Sequence, residues 1–152
     1  MKNLLVKMTP CGSIQFMWGK RTYIMGIINA TPDSFSEDGI CGEVDLAAEL
    51  ANQMEISGAD IIDVGAESTR RNNNRLTAIP ISVEEELSRI IPVIQRLTRV
   101  LSIPISVDTY KPEVAEKCLD AGAHMINNIR GIDFNSEMFK VVAQAGVPII
   151  IM

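Results

Sequence analysis

What this sequence has little of narrows it first. Histidine occurs once, as His124, and aromatic residues make up 5% of the 152 residues. With a single histidine, no nucleophile–His–carboxylate grouping is in sight, and His124 opens an apolar segment, where it reads as structural. The three cysteines, Cys11, Cys41 and Cys118, are odd in number, far apart and in no C-x-x-C spacing. That excludes a disulfide framework or zinc site and favours reduced thiols in a cytoplasm. Cys118 falls on a helical apolar face and reads as core. Basic charge is also short: 14 Lys and Arg stand against 19 Asp and Glu, for a net charge of −5. No nucleic-acid partner is expected from that balance. Long hydrophobic runs are missing as well, none reaching the ~20 residues that a membrane helix needs. Leu4-Leu5-Val6 behind Lys2 is too short for the core of a signal peptide. The expectation is a cytoplasmic protein with no membrane contact.

What is there is a globular composition, 47% hydrophobic and 22% charged, of one-domain length. Residues 1–22 read as a lead-in, in which 4–8 and 14–18 pair as a hairpin across Pro10-Cys11-Gly12. Trp18 reads as a lid on the core. Residues 23–152 then alternate strands and helices. Tyr23-Ile24-Met25-Gly26-Ile27-Ile28 is a nearly continuous apolar run, the mark of a strand buried on both faces. After it, 34–42 reads as a loop and 45–57 as a helix with Leu46, Leu50 and Met54 at every fourth position, flanked by Ala47 and Ala51 and stopped by Gly58.

The second strand is Asp60-Ile61-Ile62-Asp63-Val64, followed by a polar loop over 67–79. Ser82 and Glu85 fit a capping box that opens the next helix. Leu87, Ile90, Ile91, Ile94 and Leu97 form its buried face, and Pro92 is expected to bend it. Pro104-Ile105-Ser106-Val107-Asp108 is a third strand. Pro112 opens a third helix carrying Val114, Ala115, Cys118 and Leu119, closed by Gly122. Met125-Ile126-Asn127 is a fourth strand, 136–145 a fourth helix with Met138, Val141 and Val142 inward, and 146–152 a fifth strand. Gly58-Ala59-Asp60-Ile61-Ile62-Asp63 is echoed by Gly122-Ala123-His124-Met125-Ile126-Asn127, a spacing of 122 − 58 = 64 residues. Two strand–helix units of ~30 residues give such a spacing. Strict alternation implies a parallel sheet and leaves open whether that sheet is doubly wound or closed as a barrel.

Asn29, Asp63, Asp108 and Asn127 each stand at or near the C-terminal end of an apolar strand. In a barrel those ends converge at the mouth, where catalytic groups sit; strand-end Asn and Asp also serve simply as caps and turns.

The stretch 25–39, MGIINATPDSFSEDG, resembles the signature of dihydropteroate synthase. Further matches follow in the family's order: Asp63-Val64-Gly65-Ala66-Glu67-Ser68-Thr69-Arg70, then Ser106-Val107-Asp108-Thr109, then Ile126-Asn127-Asn128-Ile129-Arg130. The resemblance implies a TIM-type (β/α)8 barrel, of which about five strands and four helices are present. It implies condensation of a 6-hydroxymethyl-dihydropterin pyrophosphate with p-aminobenzoate, releasing pyrophosphate. By the same resemblance, Asn29 helps hold Mg²⁺ on the pyrophosphate, an ion that takes oxygen ligands largely from phosphate. Asp108 and Asn127 hydrogen-bond the pterin ring. Thr69 and Arg70 contact the pyrophosphate and the aminobenzoate side, and Asp33 and Ser34 lie in the first loop, which closes over the reacting centre. A homodimer is expected of the full-length form.

Three departures from the family pattern stand out. Arg71-Asn72-Asn73-Asn74 replaces the usual Pro-Gly after Thr69-Arg70. Asn128 replaces the usual Asp, exchanging a charge for an amide beside the pterin site. The family's later blocks, an Asp, a Lys and an Arg–X–His, do not occur, so these residues alone are expected to be an inactive portion with unpaired sheet edges. Two other readings are a pterin-binding domain of a methyltransferase and a degenerate half barrel without catalysis. The TPDSF and ESTR blocks favour the synthase, because methyl transfer needs no pyrophosphate loop.

Overall fold

The computed structural model describes residues 7–30, 39–67, 80–131 and 137–152. Its first element is the expected hairpin. β1 (Met8–Cys11) pairs antiparallel with β2 (Ile14–Met17), Met8 opposite Met17 and Cys11 opposite Ile14. The first strand thus lies at Met8–Cys11 rather than at 4–8, Pro10 and Cys11 of the expected turn belong to it, and the turn falls on Gly12 and Ser13. Trp18 stacks on Phe16, with ring centroids 5.4 Å apart, and donates its indole N–H to Thr9. It lids the hairpin's small core, as expected.

Five strands follow: β3 (Met25–Asn29), β4 (Ile61–Gly65), β5 (Ile105–Asp108), β6 (Met125–Asn128) and β7 (Ile149–Ile151). Every neighbouring pair is parallel, and spatial order equals chain order. That order decides between the two architectures left open by alternation. A doubly wound sheet reverses its strand order at a switch point, whereas a barrel advances one strand at a time with right-handed crossovers that keep all helices on one side. Here α1 (Gly39–Ile56) contacts α2 (Val83–Leu97), α2 contacts α3 (Pro112–Asp120), and α3 contacts α4 (Glu137–Ala145). The chain builds a five-strand sector of a barrel.

The two faces of the sheet differ in composition. Ile28, Ile62, Val64, Ile105, Val107 and Ile126 join Ile90, Ile94, Leu97, Val114, Cys118 and Met138 in one buried layer between sheet and helices. The alternate residues face the barrel interior. At its floor, Ile61 and Met125 pack with Cys11 and Phe16 of the hairpin. Beyond the floor the interior face of β3 is open, and Ile27 is 62% exposed. The sequence reading of this first strand as buried on both faces is thus corrected: only its helix side is covered, because the hairpin reaches no higher than the floor.

The helices bring two further corrections. α1 begins at Gly39 rather than at Asp45, within the stretch read as a loop. Its buried stripe is Ala47, Ala48 and Ala51, while Leu46 and Leu50 are exposed. The reason is closeness of packing, since a Cβ on Gly26 of β3 would come within 2.7 Å of the Met54 sulfur. Small side chains let this helix lie against the strand, and the larger leucines turn outward. α2 begins at the expected cap, Ser82 accepting the Glu85 N–H at 3.1 Å, although the Glu85 carboxylate takes the Arg89 guanidinium, and the helix runs through Pro92 to Leu97. Its fully buried residues are Glu86, Ile90, Val93, Ile94 and Leu97, with Leu87 and Ile91 only partly covered.

The repeated Gly-Ala segments have a common structural cause. Gly58 and Gly122 have φ of 101° and 107° and close α1 and α3 in the same way. Ala59 N–H donates to the Met54 carbonyl as Ala123 N–H does to that of Cys118. These are the six-to-one bonds of a Schellman stop, which needs a left-handed residue. Each stop turns the chain into the next strand.

Candidate functional site

Strand register sets out the interior in rows. Asn29 of β3 lies opposite Gly65 of β4, Gly65 opposite Asp108 of β5, Asp108 opposite Asn127 of β6, and Asn127 opposite Ile150 of β7. Three of the four strand-end residues singled out in the sequence thus share one row at the C-terminal ends of the strands. The fourth, Asp63, lies one row deeper, between Ile27 and Ser106. Gly65 leaves an opening in the upper row. A Cβ there would sit 3.4 Å from the Asp108 Cβ and 3.5 Å from its Oδ2, in ordinary contact with the carboxylate.

Two of the groups along these rows, Asp63 and Asp108, are carboxyls. Asp108 is partly buried, and burial, followed by the charges of Asp63, Glu86 and Glu67, pushes its pKa up to about 6. At neutral pH it is a carboxylate held in an unfavourable setting, poised to gain from a donor partner. Asp63 is 3% exposed. Burial raises its pKa, opposed by Ser106 and by the Asn127 amide, which donates Nδ2–H to Asp63 Oδ2 at 2.9 Å. The Ser106 hydroxyl is near enough to favour the charged form but lacks the geometry of a hydrogen bond. Both Ser106 Oγ and Asp63 Oδ1 are buried without a partner. A buried orphan polar atom costs ~1–3 kcal/mol; two in one row mark a place where stability was not the criterion.

Behind the mouth stands a network that sequence reading missed. The Lys111 ammonium lies 2.7 Å from Glu67 Oε2 and 2.5 Å from Glu86 Oε2, and donates to the Ile81 carbonyl at 2.8 Å. Burial disfavours the Lys111 charge, yet the two carboxylates outweigh it and raise its pKa. Burial likewise lifts Glu67, but its bonds from Lys111, Ile81 N–H and the Tyr110 hydroxyl hold it below the usual carboxylate range. Arg130 lies with its guanidinium carbon 3.5 Å above the centre of the Tyr110 ring. The residues following β4, β5 and β6 are thereby tied together and to α2. The available signal was Glu86, which is four residues before Ile90 on the buried stripe. In sequence it passes for one more acid in a first turn.

Asn128 also finds its place. It points to the helix side, is 4% exposed, and accepts the Arg130 N–H at 3.1 Å. The exchange of Asp for Asn thus lies on the helix side and outside the row of Asn29, Asp108 and Asn127. His124 accepts the Ile105 N–H on Nδ1 and, as expected, is structural; it borders a cleft of about 500 Å³ at the floor, lined also by Ser13, Thr98 and Gly122. Cys118 is fully buried, its thiol pushed up to about 12 by burial and Glu86. Asp33, Ser34, Thr69 and Arg70, together with Arg71-Asn72-Asn73-Asn74, lie outside the described residues.

This chain belongs to the pterin-binding enzymes, whose family pattern matches residues 25–152, the whole of the barrel sector. Within that family its similarity is to dihydropteroate synthases. It is 49% identical to the Synechocystis enzyme over 143 residues, 94% of this chain and 48% of that one, and 47% identical to the Bacillus subtilis enzyme, over 88% and 45%. Among solved structures, dihydropteroate synthase of Xanthomonas albilineans with 4-aminobenzoic acid superposes with a TM-score of 0.82 at 39% identity, covering 95% of this chain and 51% of that one. The same organism's enzyme in complex with 7,8-dihydropteroate gives 0.79 at 36%, covering 96% and 50%. The chain spans about half the length of the curated relatives it matches.

Proposed function

We propose that this chain supplies the pterin-reading part of a dihydropteroate synthase site. The observation that carries this reading is the row Asn29–Gly65–Asp108–Asn127, three polar strand ends in register on the open interior face. An aminopyrimidine edge presents adjacent N–H donors, and a carboxylate accepts two of them side by side as it does from an arginine fork. Asp108 fits that role, with Asn127 beside it. Gly65 leaves room for a flat ring against the strand.

The reaction is substitution at the pterin methylene carbon. A C–N bond forms from the aminobenzoate nitrogen, the C–O bond to pyrophosphate breaks, and the nitrogen releases its proton. An aniline is nucleophilic near neutral pH, so the site's tasks are alignment and accommodation of leaving-group charge. Asn29, exposed at the end of β3, has one amide oxygen to offer a cation. No cluster of three His, Cys, Asp or Glu able to hold a metal occurs among the described residues. Such a donor set fits Mg²⁺ carried mainly on phosphate oxygens; bound there, the ion would offset the charge of the departing pyrophosphate. Asp33, Ser34, Thr69 and Arg70 belong to the same proposal as the loop groups on the phosphate and aminobenzoate side. The whole reaction, and the homodimer, also draw on barrel strands beyond these five. No helix among the described residues is long and apolar enough to cross a membrane.

Calorimetric titration of the chain with pterin tests the reading. Measurable binding that Asp108→Asn abolishes is expected. Absence of binding at millimolar pterin, or equal binding by the variant, would overturn it. Asn29→Ala is expected to leave pterin affinity unchanged and to remove the gain that Mg²⁺ gives to binding of the pyrophosphate ester.

A further inference from the structure

We infer that Asp63 is a positioning residue that sets which end of the Asn127 amide faces the ligand. The inference rests on the pterin reading of the upper row and deepens it. An asparagine side chain has an acceptor end and a donor end of nearly equal shape, and only its surroundings choose between them. Here the choice is made from below. Asn127 Nδ2 lies 2.9 Å from Asp63 Oδ2, and Asp63 stands one row deeper, almost wholly buried. An ionised carboxylate only accepts, so the NH2 end must turn down toward it. The carbonyl oxygen is then left toward the mouth, beside Asp108.

The arrangement is costly in a way that a packing role would not require. Asp63 Oδ1 and its neighbour Ser106 Oγ are both buried without partners, and an apolar side chain at either position would remove that cost. What the carboxylate provides is direction. With Asn127 turned carbonyl-outward, Asp108 and Asn127 side by side offer acceptors alone and select a ligand edge made of N–H donors. Turned the other way, Asn127 would place its own N–H groups against those donors, the juxtaposition that separates right from wrong partners most sharply.

Asp63→Asn supplies the decisive variant, because an amide at 63 can donate upward and hold Asn127 with its NH2 toward the ligand. The double variant Asp63→Asn/Asn127→Asp exchanges donor and acceptor across the same contact and restores an oxygen to the row. Two readouts are needed: nitrogen-15 NMR of the Asn127 side-chain amide, identified by its loss in Asn127→Ser, and pterin affinity by calorimetry. In the wild-type chain one Asn127 amide proton should lie downfield and exchange slowly, and Asp63→Asn should abolish both features. Pterin affinity should fall roughly ten- to hundredfold in the single variant, the scale of a buried polar mismatch, and recover at least tenfold in the double variant. An unshifted amide proton in the wild-type chain, wild-type affinity in Asp63→Asn, or a double variant weaker than the single one would each overturn the assignment. Failure of the wild-type chain to bind pterin would overturn the proposed function instead, and the amide signals would then decide the role of Asp63 alone, whether or not the variants fold.

Discussion

The two ends of this sheet are built to opposite rules although the same strands make both. At the floor, Cys11, Phe16, Ile61 and Met125 close the interior with apolar contact, and the polar groups nearby are matched. Asp60 takes both arms of Arg21 and the Ile24 N–H. Above Ile61, and beginning in the row of Met125 itself, the same interior face carries Asp63 and Ser106 with orphaned atoms and, one row higher, Asp108 with a pKa pushed up to about 6. Nothing about parallel strands demands the difference. A barrel separates stability and chemistry along its axis, and a region that violates polar satisfaction while the rest obeys it marks where ligand recognition took precedence.

The largest effect is expected where the two rules meet, in the network behind the mouth. Lys111→Met removes the one cation between Glu67 and Glu86, whose side chains are 9% and 1% exposed. Breaking a buried pair from one side costs about 3–5 kcal/mol, because Glu86 loses its cation and Glu67 keeps only Arg130, 3.8 Å away and half exposed. Urea unfolding at pH 7.5 should show that loss, and it should shrink at pH 5, where the abandoned carboxylates can take up protons. A loss that stays constant across this range would mean that Lys111 acts by packing alone.

A floor variant should be nearly as damaging and have no bearing on the ligand. Phe16→Ala empties a fully buried site in the hairpin's contact with the sheet and should cost ~3 kcal/mol. Pterin affinity of the folded fraction should not change, because no floor residue enters the upper row. If this variant weakens pterin as much as Asp108→Asn does, the separation between floor and mouth is wrong.

How much of this was legible beforehand follows from the range over which each signal acts. The strands and the helix stops are local: the apolar runs and the Gly58 and Gly122 segments are set by period and by the left-handed φ, and both were readable, whereas the order of the strands in the sheet was not. The polar strand ends could be listed in sequence, and their register in one row then followed from parallel pairing. The pairing of Asp63 with Asn127 spans 64 residues and that of Lys111 with Glu86 spans 25, and no periodicity encodes such contacts. Alanines took the place of leucines on α1 for the same reason, since helix-to-sheet distance is a tertiary quantity. Glu86 is the instructive case. Its phase with Ile90 and Leu97 was visible, but a glutamate in a first turn is ordinarily solvated, and only its cation from another element explains its burial.

The smallest effect sharpens the comparison most, because its sign opposes the usual one. Asp108→Asn should destroy pterin reading and yet stabilise the unliganded chain. The carboxyl rises from 3.8 to about 6 on folding, so between those values the folded chain binds more protons than the unfolded one. Stability contributed by this group therefore falls as pH rises through that window and stays low above it. An amide carries no charge to desolvate. The variant should gain ~1–2 kcal/mol over wild type at pH 7.5, a value discounted for partial exposure of the site, and should match wild type at pH 4 or below. Asp63 is also raised by burial, and since its charge is among those that raise Asp108, relief of their mutual repulsion is part of the variant's gain at pH 7.5. Paired urea titrations at pH 7.5 and pH 4 measure that difference directly. A variant that is less stable than wild type at pH 7.5 would show that Asp108 already has a stabilising partner, and the mouth would then be built like the floor.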